Sequence, residues 1–228
     1  MHAMNRLLAL SALMLAGASA HAGLATFDDL AAPPAVDSSE SLVIANNGSA
    51  VYGGVTWDSR FQVVGDAYRI DTATPGPLFG LPQSGHYFVT NRDSGSGNDG
   101  LTINTDKVLT GAWFGRNEYY GFGGGADQIT LNAMNGIAVL ASVVFDLPEL
   151  VAGQAEQLSF VDTSAFAALS GITGYRIDRR EIGTQAGNWV ADDFTFVNAG
   201  LPEPGSVWLM AAGLLLIPGW KRKNPKAP

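Results

Sequence analysis

Two adjacent carboxylate pairs, Asp28-Asp29 and Asp192-Asp193, stand near the two ends of the central part of the chain. Calcium takes roughly six to eight oxygen ligands, several of them from carboxylates. If the two ends met, Asp28, Asp29, Asp192 and Asp193 could hold a structural calcium ion. A second oxygen-rich stretch runs from Asn91 to Gly100. It is not an EF-hand loop, because Asn104 stands where the last, bidentate Glu would fall and Asn98 where the turn needs Gly. It is similar to a single degenerate nonapeptide calcium turn, a unit that works in stacked repeats.

Other candidate chemistries fail on residue type. Gly95-x-Gly97-x-x-Gly100 has the spacing of a dinucleotide turn, but the following Leu101–Val108 has strand composition and offers no helix N-terminus for a pyrophosphate. The run Gly121-Phe122-Gly123-Gly124-Gly125 lacks the Lys of a phosphate loop. His86 is alone between residues 23 and 200, which removes multi-histidine zinc sites, and no G-x-S-x-G elbow is present. Glu40, Glu118, Glu149, Glu156 and Glu181 show no spacing that favours a glycosidase pair. The chain has no cysteine, so disulfides, thiolate nucleophiles and iron–sulfur clusters are excluded. The densest aromatic stretch is Trp113–Phe122, in which Trp113 and Phe114 should fall on opposite faces of a strand. Tyr119 and Tyr120 border the glycine run and are the candidate ligand-binding residues, since exposed rings grip the apolar face of sugars.

The elements that must position these residues read as strands. The 228 residues include 28 Gly and 11 Pro, a proportion that suits an all-β protein rich in turns. Strand-like runs are Leu24–Phe27, Ser41–Ala45, Val55–Trp57, Phe61–Val64, Ala67–Ile70, His86–Thr90, Leu101–Ile103, Lys107–Phe114, Gln128–Asn132, Ile137–Phe145, Gln157–Val161, Gly174–Arg179 and Trp189–Val197. Asn135-Gly136 marks a hairpin, and Thr163–Ser170 is the one helical turn expected. The expected fold is all-β, a two-sheet antiparallel sandwich, with the jelly roll as its candidate form. In the last strand, alternation places Val190, Asp192, Phe194 and Phe196 on one face and Trp189, Asp193 and Thr195 on the other. Residues 23–200 carry 20 acidic against 8 basic residues, a net charge of −12. That balance repels nucleic acid.

Both ends read as addresses. Residues 1–22 combine Arg6, an apolar run from Leu7 to Leu15 and small-x-small sites at Ala18-Ser19-Ala20 and Ala20-His21-Ala22, the layout of a secretory signal peptide. Residues 201–228 combine Pro202-Glu203-Pro204, an apolar run from Val207 to Trp220, and the cations Lys221, Arg222, Lys223 and Lys226. The run is short for a bilayer span, and the cations act as a stop on the cytoplasmic side.

This tail resembles the PEP-CTERM sorting signal of Gram-negative bacteria. Pro218-Gly219 within the apolar run and the residues Asn224–Pro228 depart from the usual pattern. The resemblance implies export, a transient stay in the inner membrane, cutting near Pro-Glu-Pro by an exosortase, and release to the cell surface or an exopolysaccharide matrix. Tails of this kind also carry an ice-binding label. Thr72-x-Thr74 is the only Thr-x-Thr in the chain, too little for a lattice-matching array.

Phe27-Asp28-Asp29-Leu30 near the front and Trp189-x-x-Asp192-Asp193-Phe194-x-Phe196 near the back are similar to secreted β-sandwich modules, carbohydrate-binding ones included. That resemblance implies paired terminal strands and a structural calcium. The expected organisation is a signal peptide (1–22), a β-sandwich (23–200) and a sorting tail (201–228). The expected role is non-catalytic binding or structure in the envelope or biofilm matrix, with polysaccharide as partner. The alternatives are a secreted glycan-active enzyme and a periplasmic protein permanently anchored by its tail.

Overall fold

A computed structural model describes residues 23–34, 42–44, 51–65, 82–91, 100–116, 125–149, 158–180 and 187–199. Thirteen strands follow in chain order: β1 (Gly23–Ala25), β2 (Leu42–Val43), β3 (Val51–Tyr52), β4 (Val55–Trp57), β5 (Gln62–Gly65), β6 (Tyr87–Thr90), β7 (Leu101–Asn104), β8 (Val108–Arg116), β9 (Gln128–Asn135), β10 (Ala138–Asp146), β11 (Ser159–Asp162), β12 (Gly174–Arg179) and β13 (Trp189–Val197). A 3-10 turn at Ser164–Ala168 separates β11 from β12, inside the stretch expected to be helical. The expected strand Ala67–Ile70 lies outside the described residues, and β3 is a strand that composition did not announce.

Among the described residues every ladder between strands is antiparallel, and the strands form two sheets. One runs β11-β8-β13-β6-β5-β2, with β1 also on β13; the other runs β10-β9-β12-β7-β4-β3. Counting from β6 as the first of eight, the inner orders are 1-8-3-6 in one sheet and 2-7-4-5 in the other. That is a jelly roll, two interleaved Greek keys, widened by the short early strands. All the described residues belong to one compact unit, Ala22–Ala199.

The core follows from alternation in most strands, and in β8 the facing shifts between Leu109 and Ala112, where the register with β13 also shifts. Ile129, Leu131 and Ala133 of β9 and Tyr175 and Ile177 of β12 point inward from one sheet. Leu109, Ala112 and Phe114 of β8 meet them from the other, with Trp57, Phe61, Trp189, Phe194 and Phe196 filling the centre. Trp57 packs edge-on against Phe61 and Phe194, each at 5.1 Å between centroids, a geometry that adds to simple burial. Tyr175 ties the sheets together: its hydroxyl donates to the Lys107 carbonyl (3.0 Å) and accepts the Leu109 N–H (2.8 Å). Burial pushes its phenol up to about 12, so it stays a donor at any ordinary pH.

Two local expectations need correction. The β9–β10 hairpin turns on Gly136-Ile137, one residue later than Asn135-Gly136, because Asn135 already pairs with Ala138. Gly136 takes the positive φ (57°) and Ile137 does not, the pattern of a type II′ turn. The second correction is in β13, where strict alternation fails. Asp192 pairs with Trp113 but Thr195 with Gly111, so β13 carries one extra residue, and Asp193 sits there at φ 51°. This bulge reverses the facing of the strand. Trp189 and Ala191 share the main core with Phe194 and Phe196, while Val190 joins Val64, Phe88 and Leu158 on the outer face of the sheet. Among the described residues, no helix is long and apolar enough to cross a membrane.

Candidate functional site

The acidic pairs meet where β13 changes partner. One flank of β13 pairs with β8. Its other flank is shared: Val190 and Ala191 pair with β6, and Phe194 to Phe196 pair with β1. Asp192 and Asp193 occupy the gap, where no ladder can form. Asp192 Oδ2 accepts the N–H groups of Gln83 (2.8 Å) and Ser84 (3.1 Å), and its Oδ1 accepts the Asp193 N–H (2.8 Å). Asp193 Oδ1 accepts the Ser84 hydroxyl at 2.7 Å. From the β1 side, Asp28 Oδ1 accepts the His86 N–H at 2.7 Å. Its carboxylate lies so close to Gly85 (φ 57°) that a Cβ there would come within 2.0 Å of it. The carboxylates thus replace missing backbone pairing and stitch the 83–86 segment to both ends of the domain.

Asp29 serves a neighbouring strand. Its Oδ1 accepts the Tyr52 hydroxyl at 2.5 Å, and the Tyr52 oxygen accepts the Phe27 N–H at 2.7 Å. Phe27 has φ 63°, a conformation costly for a bulky residue, and its ring stacks on Tyr52 at 5.1 Å. Burial first, then the hydrogen bond to Asp29, push the Tyr52 phenol well above its ordinary value.

Asp192 is fully buried. Desolvation pushes its carboxyl up to about 8; the Ser84 N–H pulls it down, the charge of Asp193 pushes it up, and the other two N–H donors oppose the rise. The elements expected to bring the termini together do so, β1 on β13. The four carboxylates nevertheless face separate protein donors. Among the described residues, no three acidic or histidine side chains converge as a metal site.

The aromatic stretch divides as alternation requires. Phe114 is fully buried in the main core. Trp113 lies on the outer face of the same sheet, half-buried beside Val64, Phe88, Leu158 and Val190. Cross-strand register places Phe160 of β11, Trp113 of β8 and Asp192 of β13 in one row on that face. Phe160 is 46% exposed, and its ring meets Trp113 at 5.4 Å in a tilted arrangement. Its ring also lies over Gly111, where a Cβ would come within 2.3 Å of it. Asp162 pairs with Gly111 one row along and is exposed. The Ser164 backbone N–H and hydroxyl hold its carboxyl below the usual range.

Sequence reasoning missed Phe160 and Ser84. Phe160 carried a usable signal, an aromatic in a strand-like run, but its neighbour depends on register between distant strands. Tyr119 and Tyr120, the oxygen-rich loop residues 92–99, Pro202-Glu203-Pro204 and the stop charges Lys221, Arg222 and Lys223 lie outside the described residues.

No family model matches the chain, and no curated protein matches it. Among solved structures, the chain is similar to the K2 cleaved adhesin domain of Lys-gingipain at 13% identity and a TM-score of 0.38. That match covers 78% of this chain and 98% of the other.

Proposed function

We propose that this is an exported protein, sorted to the cell surface or extracellular matrix by an exosortase, whose β-sandwich has a non-catalytic binding or structural role there. The observation that carries the reading is the pair of terminal segments: a signal-peptide layout at residues 1–22 and Pro202-Glu203-Pro204, an apolar run and a cationic end at residues 201–228. The described part of the sandwich is in keeping with it. Its paired acidic residues hold strands and turns together, and its exposed aromatic pair lies on a sheet face. The reading makes an exopolysaccharide the natural partner and the inner membrane a stage in transit.

The test is intact mass and cell fractionation of the full chain in its native host, beside a variant with Pro202, Glu203 and Pro204 all changed to Ala. The reading expects the wild type outside the inner membrane without its tail and the variant retained with the tail intact. Retention of both with intact tails would overturn sorting and leave a permanently anchored periplasmic protein.

A further inference from the structure

We infer that Trp113 and Phe160, with Asp162 at their side, form a platform for the ring of an uncharged polysaccharide. The inference rests on the surface-binding reading above and names its ligand class and residues. Phe160 keeps 46% of its surface exposed although it sits mid-strand, and Trp113 braces it from the next strand at 5.4 Å. Gly111 leaves the room in which the Phe160 ring lies, since a Cβ there would meet the ring at 2.3 Å. The Trp113 indole N–H meets no acceptor among the described residues. A half-buried aromatic whose N–H meets no acceptor among the described residues is suited to a ligand that is apolar on one side and hydroxylated on the other. A sugar ring is such a ligand: its C–H face lies on Phe160, and its rim hydroxyls take the indole N–H and give to the Asp162 carboxylate. Asp162 Oδ1 already accepts the Ser164 N–H at 2.8 Å, which fixes the carboxylate beside the rings.

Charge selects among polysaccharides. The region 23–200 carries −12, and the cations that offset it in the whole chain stand in the two terminal segments. A polyanionic chain such as a uronic-acid polymer would be repelled on approach, whereas an uncharged one would not.

The experiment is affinity electrophoresis of the full chain, in mild detergent, through gels containing hydroxyethylcellulose, laminarin, galactomannan or alginate. The expected result is retardation by at least one of the three neutral polymers and none by alginate. Phe160→Ala should weaken that retardation about tenfold, the loss typical of truncating a central aromatic in an interface. Trp113→Phe, which keeps a ring but removes the indole N–H, should weaken it several-fold, and Phe160→Tyr should keep it. Melting curves of the same variants separate loss of binding from loss of fold. Retardation by alginate alone, by no polymer, or unchanged in Phe160→Ala would overturn the platform. Any of these with the chain still trimmed and found outside the inner membrane leaves sorting intact, so the two readings fail separately.

Discussion

Replacing Asp192 by Ala removes the acceptor of three N–H groups, those of Gln83, Ser84 and Asp193. A hydrogen bond contributes about 0.5–1.5 kcal/mol net to stability. Three of them amount to about 3 kcal/mol, and the exposed position of Gln83 lets water recover part of that. For a domain of this size about 2–4 °C accompanies each kcal/mol, so the melting temperature should fall by about 6–12 °C. A pH series provides a second readout. The carboxyl of folded Asp192 is pushed up to about 8, above its ordinary value, by burial. Its contribution to stability is therefore complete below the ordinary carboxylate pKa of about 4 and is lost as pH rises through 8. Urea midpoints of the wild type should fall between pH 6 and pH 9 by more than those of Asp192→Ala, which lacks the group. A melting change under about 2 °C at pH 6 would refute the stitching argument, because it would mean that solvent serves the three donors as well as the carboxyl group does.

Four further outcomes follow from the same contacts. Gly85→Ala must displace the Asp28 carboxylate and hold an alanine at φ 57°; thermal melting should show a loss of about 2 kcal/mol, one part strain and one part the His86 bond. Tyr175→Phe strands the buried Leu109 N–H between the sheets, and urea denaturation should show a loss of about 1–3 kcal/mol. Asp58 titrates with the opposite sign to Asp192: desolvation raises its carboxyl, but the Arg60 hydrogen bonds and charge outweigh it and hold it low. Its contribution is present above the ordinary carboxylate value and lost as pH falls through the lowered one, so Asp58→Asn should flatten the acid limb of the stability curve. Adding calcium or EDTA should leave the melting temperature within about 1 °C, since the Asp192 oxygens already accept three N–H groups; a calcium-dependent rise of several degrees would restore a metal role to the acidic pairs.

Strand composition made most of the sandwich legible. The runs Leu101–Ile103, Lys107–Phe114, Gly174–Arg179 and Trp189–Val197 coincide with strands to within two residues at either end. These are segments where alternation, β-branched or aromatic residues and flanking turn formers all agree, and where burial on one face leaves the register little freedom. Pairs such as Val51–Tyr52 were not legible. A two-residue strand has no period, and β3 exists only because β4 pairs with it and the Tyr52 hydroxyl is held by Asp29.

The acidic pair of β13 was legible as residues but not in its facing, and the extra residue in β13 accounts for the difference. Reading Trp189–Val197 with an unbroken period of two placed Asp192 in the core beside Phe194, where a carboxylate would need a partner such as a metal. The extra residue Asp193 turns the first half of β13 over, so Asp192 shares the outer face with Val190 and lies in one row with Trp113 and Phe160. No local signal in the strand marks that bulge, because its cause is distant: β6 covers Val190 and Ala191, β1 covers Phe194 to Phe196, and the two cannot meet without a gap. The bulge fills the gap with carboxylates aimed at the 83–86 segment. A deletion of Asp193 that restored strict alternation would carry either Trp189 and Ala191 or Phe194 and Phe196 out of the core, and it should abolish folding rather than merely weaken ligand retention.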